Sequence, residues 1–168
     1  WKATGLTNNC APCPIVDATR ESGPTVYCMT GYQGHALLAI PITGTGDVTD
    51  QIRWEADRGT PYVPSAVLYD GQLYFTQYNQ GILTSLEAKD GTEVIARTRV
   101  PDLGDIYASP VAADGRVYLV GRKGSSVVIE AGKEFKILAS NQLDDNFHAS
   151  PALAGKQLFL RGMRFLYC

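Results

Sequence analysis

Residues 107–120 read YASPVAADGRVYLV. Val111 and Ala112 lead into Asp114-Gly115, and the alternating run Arg116-Val117-Tyr118-Leu119-Val120 follows. An Asp-Gly pair between two β-prone runs is a strong hairpin signal, because both central residues of a type I′ turn need positive φ. The stretch therefore reads as strand, tight turn, strand.

It is also one copy of a repeat. Pro64–Phe75 (PSAVLYDGQLYF) aligns without gaps to Ala108–Leu119 (ASPVAADGRVYL), and both align to Ala149–Leu160 (ASPALAGKQLFL). The aromatic anchors Tyr74, Tyr118 and Phe159 stand 44 and 41 residues apart. A diverged copy lies upstream: Cys13-Pro14-Ile15-Val16 takes the Ser-Pro-Val part and Thr25-Val26-Tyr27-Cys28 the second strand, with a longer turn over 17–24. Each copy continues through a glycine turn (31–34, 79–81, 121–124) to a third strand at 36–40, 82–86, 127–129 or 165–167. A fourth strand is expected at 52–55, 93–96 and 135–138.

Four short strands per unit of about 40–45 residues is the pattern of a β-propeller blade. A blade cannot bury both of its faces alone, so such units stack in series. The fold expected is all-β: four-stranded antiparallel blades, about four blades' worth in one domain over 1–168. Residues 1–7 are expected as the outer strand of a split blade, 8–58, 59–102 and 103–144 as whole blades, and 145–168 as the three remaining strands of the split one.

Composition agrees and excludes much. The chain has 17 Gly, 9 Pro and 9 Tyr, with no long, capped run of helical period, which favours strands and turns. A net charge of −2 and no Lys/Arg stripe argue against a nucleic-acid partner. No apolar run approaches the roughly 20 residues of a membrane-spanning helix.

The repeats resemble the pyrroloquinoline-quinone-type (PQQ-like) propeller repeats of bacteria. The residues that carry the resemblance are SAVLYDGQLYF, ASPVAADGRVYL and ASPALAGKQLFL, joined by GHALLAI (34–40), LEAKDGTEVIA (86–96) and LYC (166–168). The resemblance implies a segment of a larger, eight-bladed ring located in the periplasm or at the cell surface. Its members include quinoprotein alcohol dehydrogenases, an outer-membrane assembly propeller and uncharacterised exported proteins, and this sequence looks most like the last group. The enzymes hold quinone against a pair of adjacent cysteines, and none occurs here. Ala96 stands where their blade-docking tryptophan would fall in LEAKDGTEVIA. The expectation is therefore a non-catalytic module, a protein-interaction or assembly scaffold, partnered by a protein or by a second propeller half that completes the ring. The alternative is part of a PQQ-dependent oxidoreductase whose quinone- and calcium-holding residues lie in other blades.

Two groups of residues could carry chemistry. Cys10-Ala-Pro-Cys13 lacks the following His of a haem attachment site and the second ligand pair of a zinc site. Cys10, Cys13 and Cys28 are the candidate disulfide residues, with Cys13–Cys28 across strands or Cys10–Cys13 within the loop. The second group precedes the innermost strands, where a propeller's loops ring one mouth of its channel: Tyr62, Asp105, Tyr107, Asn146 and His148 form a tentative binding set. His35 reads as a hairpin-end residue. The acids of Asp70-Gly71, Asp90-Gly91 and Asp114-Gly115 follow from turn chemistry, so neither a catalytic residue nor a metal ligand is expected.

Overall fold

The computed structural model describes residues 1–77 and 81–168, so the turn expected at 79–81 lies, apart from Gly81, outside the described residues. The chain folds into four antiparallel sheets, each a blade. The first holds β1 (Ile15–Asp17), β2 (Thr25–Thr30), β3 (Ala36–Pro41) and β4 (Trp54–Ala56). The second holds β5 (Val67–Tyr69), β6 (Gln72–Gln77), β7 (Ile82–Glu87) and β8 (Glu93–Arg99). The third holds β9 (Val111–Ala113), β10 (Arg116–Val120), β11 (Ser125–Glu130) and β12 (Ile137–Gln142), and the fourth β13 (Ala152–Ala154), β14 (Gln157–Arg161) and β15 (Leu166–Tyr167). Within every sheet the strands neighbour one another in chain order.

The opening stretch is β9, a two-residue turn and β10, with Arg116 paired to Ala113 and Tyr118 to Val111. Asp114 and Gly115 have φ of 51° and 69°, and Asp70 and Gly71 at the same place in the second blade have 47° and 74°. These are the positive angles that a type I′ hairpin demands.

The core lies between blades, not inside one. Alternate residues of a strand point to opposite faces, so each central strand serves two interfaces. Tyr27, Met29 and Leu37 of the first blade meet Leu73, Phe75 and Leu86 of the second. Tyr74 and Leu83, from the second blade's other face, meet Val117, Leu119, Val127 and Ile129 of the third. A smaller cluster of Ala108, Val120, Phe147 and Leu160 joins the third to the fourth. Polar pins cross the same interfaces: the Tyr27 hydroxyl and Trp54 Nε1 both donate to the Ala88 carbonyl, at 2.9 and 3.0 Å. The Tyr74 hydroxyl accepts from the Gly132 N–H at 2.9 Å.

Residues 1–7 do not pair with β13–β15 as the outer strand of a split blade. Lys2 instead forms a parallel bridge with Asp47 in the connection between β3 and β4. The Lys2 N–H donates to the Gly46 carbonyl at 2.8 Å, and the Val48 N–H donates to that of Lys2 at 2.9 Å. Thr7 donates through its N–H and its hydroxyl to the Thr30 hydroxyl. The physical reason is the outward face of the first blade. Val26, Leu38, Ile40 and Val48 form an apolar cluster there, covered by Ala3, Ile42 and Ile52. β12 also begins later than expected, at Ile137 instead of 135. It is exposed along its whole length, and its register slips at Val128/Ile129, so burial does not pin its start. No helix among the described residues is long and apolar enough to cross a membrane.

Candidate functional site

The innermost strands β1, β5, β9 and β13 contact one another in succession, so the segments entering them are gathered at one end. A repeated close approach builds this rim. A Cβ added to Gly31 or Gly124, in the turns after the second strands of the first and third blades, would collide with the carbonyl oxygens of Thr60 and Leu143, in the segments that lead into the second and fourth blades. Only glycine lets the turn approach the segment leading into the next blade so closely. Tyr32 and Arg122, in these two turns, therefore lie beside the segments that enter the next blades, Tyr32 against Tyr62 and Arg122 against Phe147.

Arg122 organises the densest part of this rim. Its N–H donates to the Asp105 carbonyl at 2.8 Å, and its carbonyl accepts from the Phe147 N–H at 3.0 Å. Its guanidinium lies over the Tyr107 ring, 4.3 Å from the centroid. Nη1 is 3.9 Å from Asp105 Oδ2, and Nη2 is 3.5 Å from His148 Nε2. The guanidinium has only donors, so at this contact His148 Nε2 is the acceptor. His148 meets Tyr107 edge to face at 5.5 Å. Nε of Arg122 is buried and has no hydrogen-bond partner among the described residues. At the entry to the second blade Tyr62 stacks on Tyr32, with ring centroids 4.9 Å apart.

Of the five residues singled out from sequence, Asp105, Tyr107 and His148 thus converge on Arg122, and Tyr62 belongs to the Tyr32 pair. Asn146 is exposed, and its backbone carbonyl accepts from the Met163 N–H at 3.0 Å. The sequence reading missed Arg122 and Tyr32. The signal was present: Gly31-Tyr32 and Gly121-Arg122 occupy the same place in the repeat.

It also passed over Asp145, whose side chain is almost fully buried. The carboxylate accepts from the N–H groups of Asn146 (2.7 Å), Met163 (3.1 Å), Arg164 (3.1 Å) and Phe165 (3.2 Å), and from the Tyr167 hydroxyl (3.1 Å). Burial alone would raise this carboxyl, but the N–H groups of Asn146 and Arg164, the Tyr167 hydroxyl and the Phe165 N–H outweigh it and hold it below the ordinary carboxylate value. Asp145 is the anchor of the β14–β15 turn.

The remaining candidates are structural. His35 Nδ1 lies 2.9 Å from the Thr60 hydroxyl, which itself donates to the Thr30 carbonyl, so Nδ1 carries the proton. All four cysteines are free thiols, and the expected bridge among Cys10, Cys13 and Cys28 is not formed. Cys13 precedes β1, with its N–H tied to Ser65 Oγ at 2.8 Å, while Cys28 pairs across β2–β3 with Leu38. Burial pushes the Cys28 thiol up, and nearby Cys10 adds to this.

A family profile described as outer membrane protein assembly factor BamB matches residues 43–162. The chain belongs to the PQQ-like repeat family. Among solved structures, BamB from Moraxella catarrhalis superposes on this PQQ-like propeller with a TM-score of 0.63 at 17% identity, over 84% of this chain and 41% of that one. A europium-containing methanol dehydrogenase superposes with a TM-score of 0.57, also at 17% identity, over 77% of this chain and 24% of that one. At such identity the likeness is one of fold. The chain spans less than half the length of either protein, so it forms a partial propeller. No curated protein matches it in sequence.

Among the described residues no three His, Cys, Asp or Glu side chains gather. The turn acids are engaged locally: Asp17 with Thr19, Asp47 with Thr49, Asp90 with Thr92 and Asp114 with Arg116.

Proposed function

We propose that this chain is a propeller segment of an assembly scaffold outside the cytoplasm, and that it holds a protein partner at the rim formed by Tyr32, Tyr62, Tyr107, Arg122 and His148. One observation carries the reading: an arginine stacked on a tyrosine and fixed by backbone bonds to two blades. Arg and Tyr are the side chains enriched at the centres of protein interfaces, where rigid aromatic groups lose little entropy on binding. The likeness to BamB, named as an outer-membrane assembly factor, supports both the role and the location.

A photo-crosslinking residue at Tyr62, compared with one at exposed Lys133 on the β11–β12 turn, tests this in the native host. The expected result is a discrete protein adduct from the rim position only, lost when Arg122→Ala is added. Equal adducts from both positions would refute the rim as the docking surface.

The dehydrogenase neighbour favours a second reading, a segment of a quinone-dependent oxidoreductase whose cofactor residues lie in blades beyond this chain. Quinone absorbance with calcium-dependent dye reduction by the purified native assembly would establish that reading in place of the scaffold.

A further inference from the structure

Three arginines elsewhere in the fold are closely bonded, whereas Arg122 is held firmly and left unbonded. Arg53 donates from Nη1 to Ser22 Oγ and from Nη2 to the Ser22 carbonyl, both at 2.7 Å. Arg116 Nη1 meets Asp114 Oδ2 at 2.6 Å, and Arg164 Nη2 meets Asp144 Oδ2 at 3.0 Å. Around Arg122, among the described residues, neither terminal nitrogen bonds more closely than the 3.5 Å contact with His148, and Asp105 Oδ2 stays 3.9 Å away. A guanidinium normally meets a carboxylate at about 2.7–2.9 Å. Its five N–H donors therefore share one long contact.

The group is fixed all the same. Its own backbone bonds to Asp105 and to Phe147, and the Tyr107 ring lies 4.3 Å from the guanidinium carbon. Stacking and backbone bonds orient the fork without using its terminal donors. Nε is buried, yet the side chains of Arg122 and Asp105 are 31% and 44% exposed. With Nε closed off, the terminal edge of Nη1 and Nη2 is the one left to a ligand. Its complement is a planar group with two acceptor oxygens, which takes two parallel N–H···O bonds. Charge narrows the choice further. An imidazole that accepts at Nε2 is uncharged, so Arg122 and Asp105 leave the cluster near neutrality. Such a site suits a single negative charge better than a phosphate ester, which carries close to two at neutral pH.

We propose that Arg122 is a carboxylate-binding site, taking an acidic side chain or a chain-terminal carboxylate of a partner protein in a two-bond fork beside Asp105, Tyr107 and His148. The proposal rests on the reading of this rim as a protein-docking surface and names the chemistry of the partner's contact.

The purified chain is titrated with the capped peptide acetyl-Gly-Glu-Gly-amide while the Arg122 Nε–H and His148 ring signals are followed by NMR. The isostere acetyl-Gly-Gln-Gly-amide keeps the shape and loses the charge. A saturable shift is expected with the Glu peptide, and binding about tenfold weaker or more with the Gln peptide. Arg122→Lys keeps the charge without the fork, and by the His148 signal it should bind the Glu peptide no better than the unaltered chain binds the Gln peptide. Asp105→Asn removes a competing carboxylate and should tighten Glu binding. Acetyl-Gly-Gly-Gly with a free C-terminus separates the two sources, since the tighter of the two acidic peptides identifies side chain or terminus. Equal responses to the Glu and Gln peptides overturn the proposal, with no variant whose folding is in question. So does tighter binding of inorganic phosphate than of the Glu peptide, or a saturable shift with acetyl-Gly-Lys-Gly-amide, which would assign the contact to Asp105. Rim crosslinking that persists beside equal peptide responses keeps the scaffold reading and removes only this one, so the two failures are distinguishable.

Discussion

Replacing Tyr74 by Phe tests whether the blades are pinned together by buried hydroxyls as well as by apolar contact. The hydroxyl donates to Gln72 Oε1 at 2.7 Å and accepts from Gly132 N–H of the next blade at 2.9 Å. Gln72 Oε1 keeps a second donor, Ser85 Oγ at 2.9 Å, so it is not left bare. Gly132 is only half-buried and recovers part of its loss from water. Two bonds at roughly 1 kcal/mol each give a destabilisation of about 2 kcal/mol. In a domain of this size that lowers Tm by about 4–8 °C. The repeat supplies its own control, since Tyr118 holds the equivalent position in the third blade. Its ring is half-buried, and its hydroxyl bonds to no described residue. Tyr118→Phe should change stability by less than about 0.5 kcal/mol. Urea unfolding of both variants reads the difference directly. Burial also pushes the Tyr74 phenol above its ordinary value, with Gly132 N–H pulling it partly back. A raised folded value means that its contribution is intact below the ordinary phenol range and is lost as pH rises through the folded value. Tyr74→Phe should therefore flatten the alkaline limb of the stability curve. Equal losses from the two substitutions would refute the pinning argument.

The remaining predictions use the same repeat logic. Gly91→Ala places a Cβ 2.7 Å from the Trp54 ring at φ +75°, whereas Gly115→Ala at φ +69° meets no atom within 4 Å. Both incur the left-handed strain of about 1–2 kcal/mol, so a greater loss at Gly91, with a shift in tryptophan fluorescence, marks the clash with the inter-blade tryptophan. Asp145 is ionised and held below the ordinary carboxyl value of 3.8, so its stabilisation is present above that pH and lost as pH falls through the lowered folded value. Asp145→Asn should unfold at lower urea at neutral pH and lose much of the wild-type drop on acidification, followed by urea midpoints against pH. Ser109→Ala removes the acceptor for the Ser65 N–H and should cost about 1 kcal/mol, with faster exchange of that amide as the specific sign.

The repeat, the hairpins and the blade order were legible in the sequence because each depends on residues near one another in the chain. Asp114-Gly115 sets its turn by backbone angle alone, and alternation in GQLYF and GRVYL sets which side chains are apolar. Recurrence of the strand heads at Cys13, Ser65, Ser109 and Ser150 then fixes how units follow one another. The candidate site was half legible: Tyr107 and His148 could be placed at one end by their offset from the serines, but Arg122 joins them only because Gly124 lets its turn sit against the segment entering the next blade. Residues 1–7 show where local reasoning stops. Their β-like pattern suits either an outer strand of the last blade or a cover for the first. The choice fell to the apolar face of Val26, Leu38 and Ile40, which exists only once β2 and β3 are paired. Likewise a single carboxylate, Asp145, collects four N–H groups and a hydroxyl that sequence spacing does not bring to mind. Sequence sets local conformation through steric preference and periodicity. Which surfaces are left to cover, and by what, is decided when the sheets have stacked.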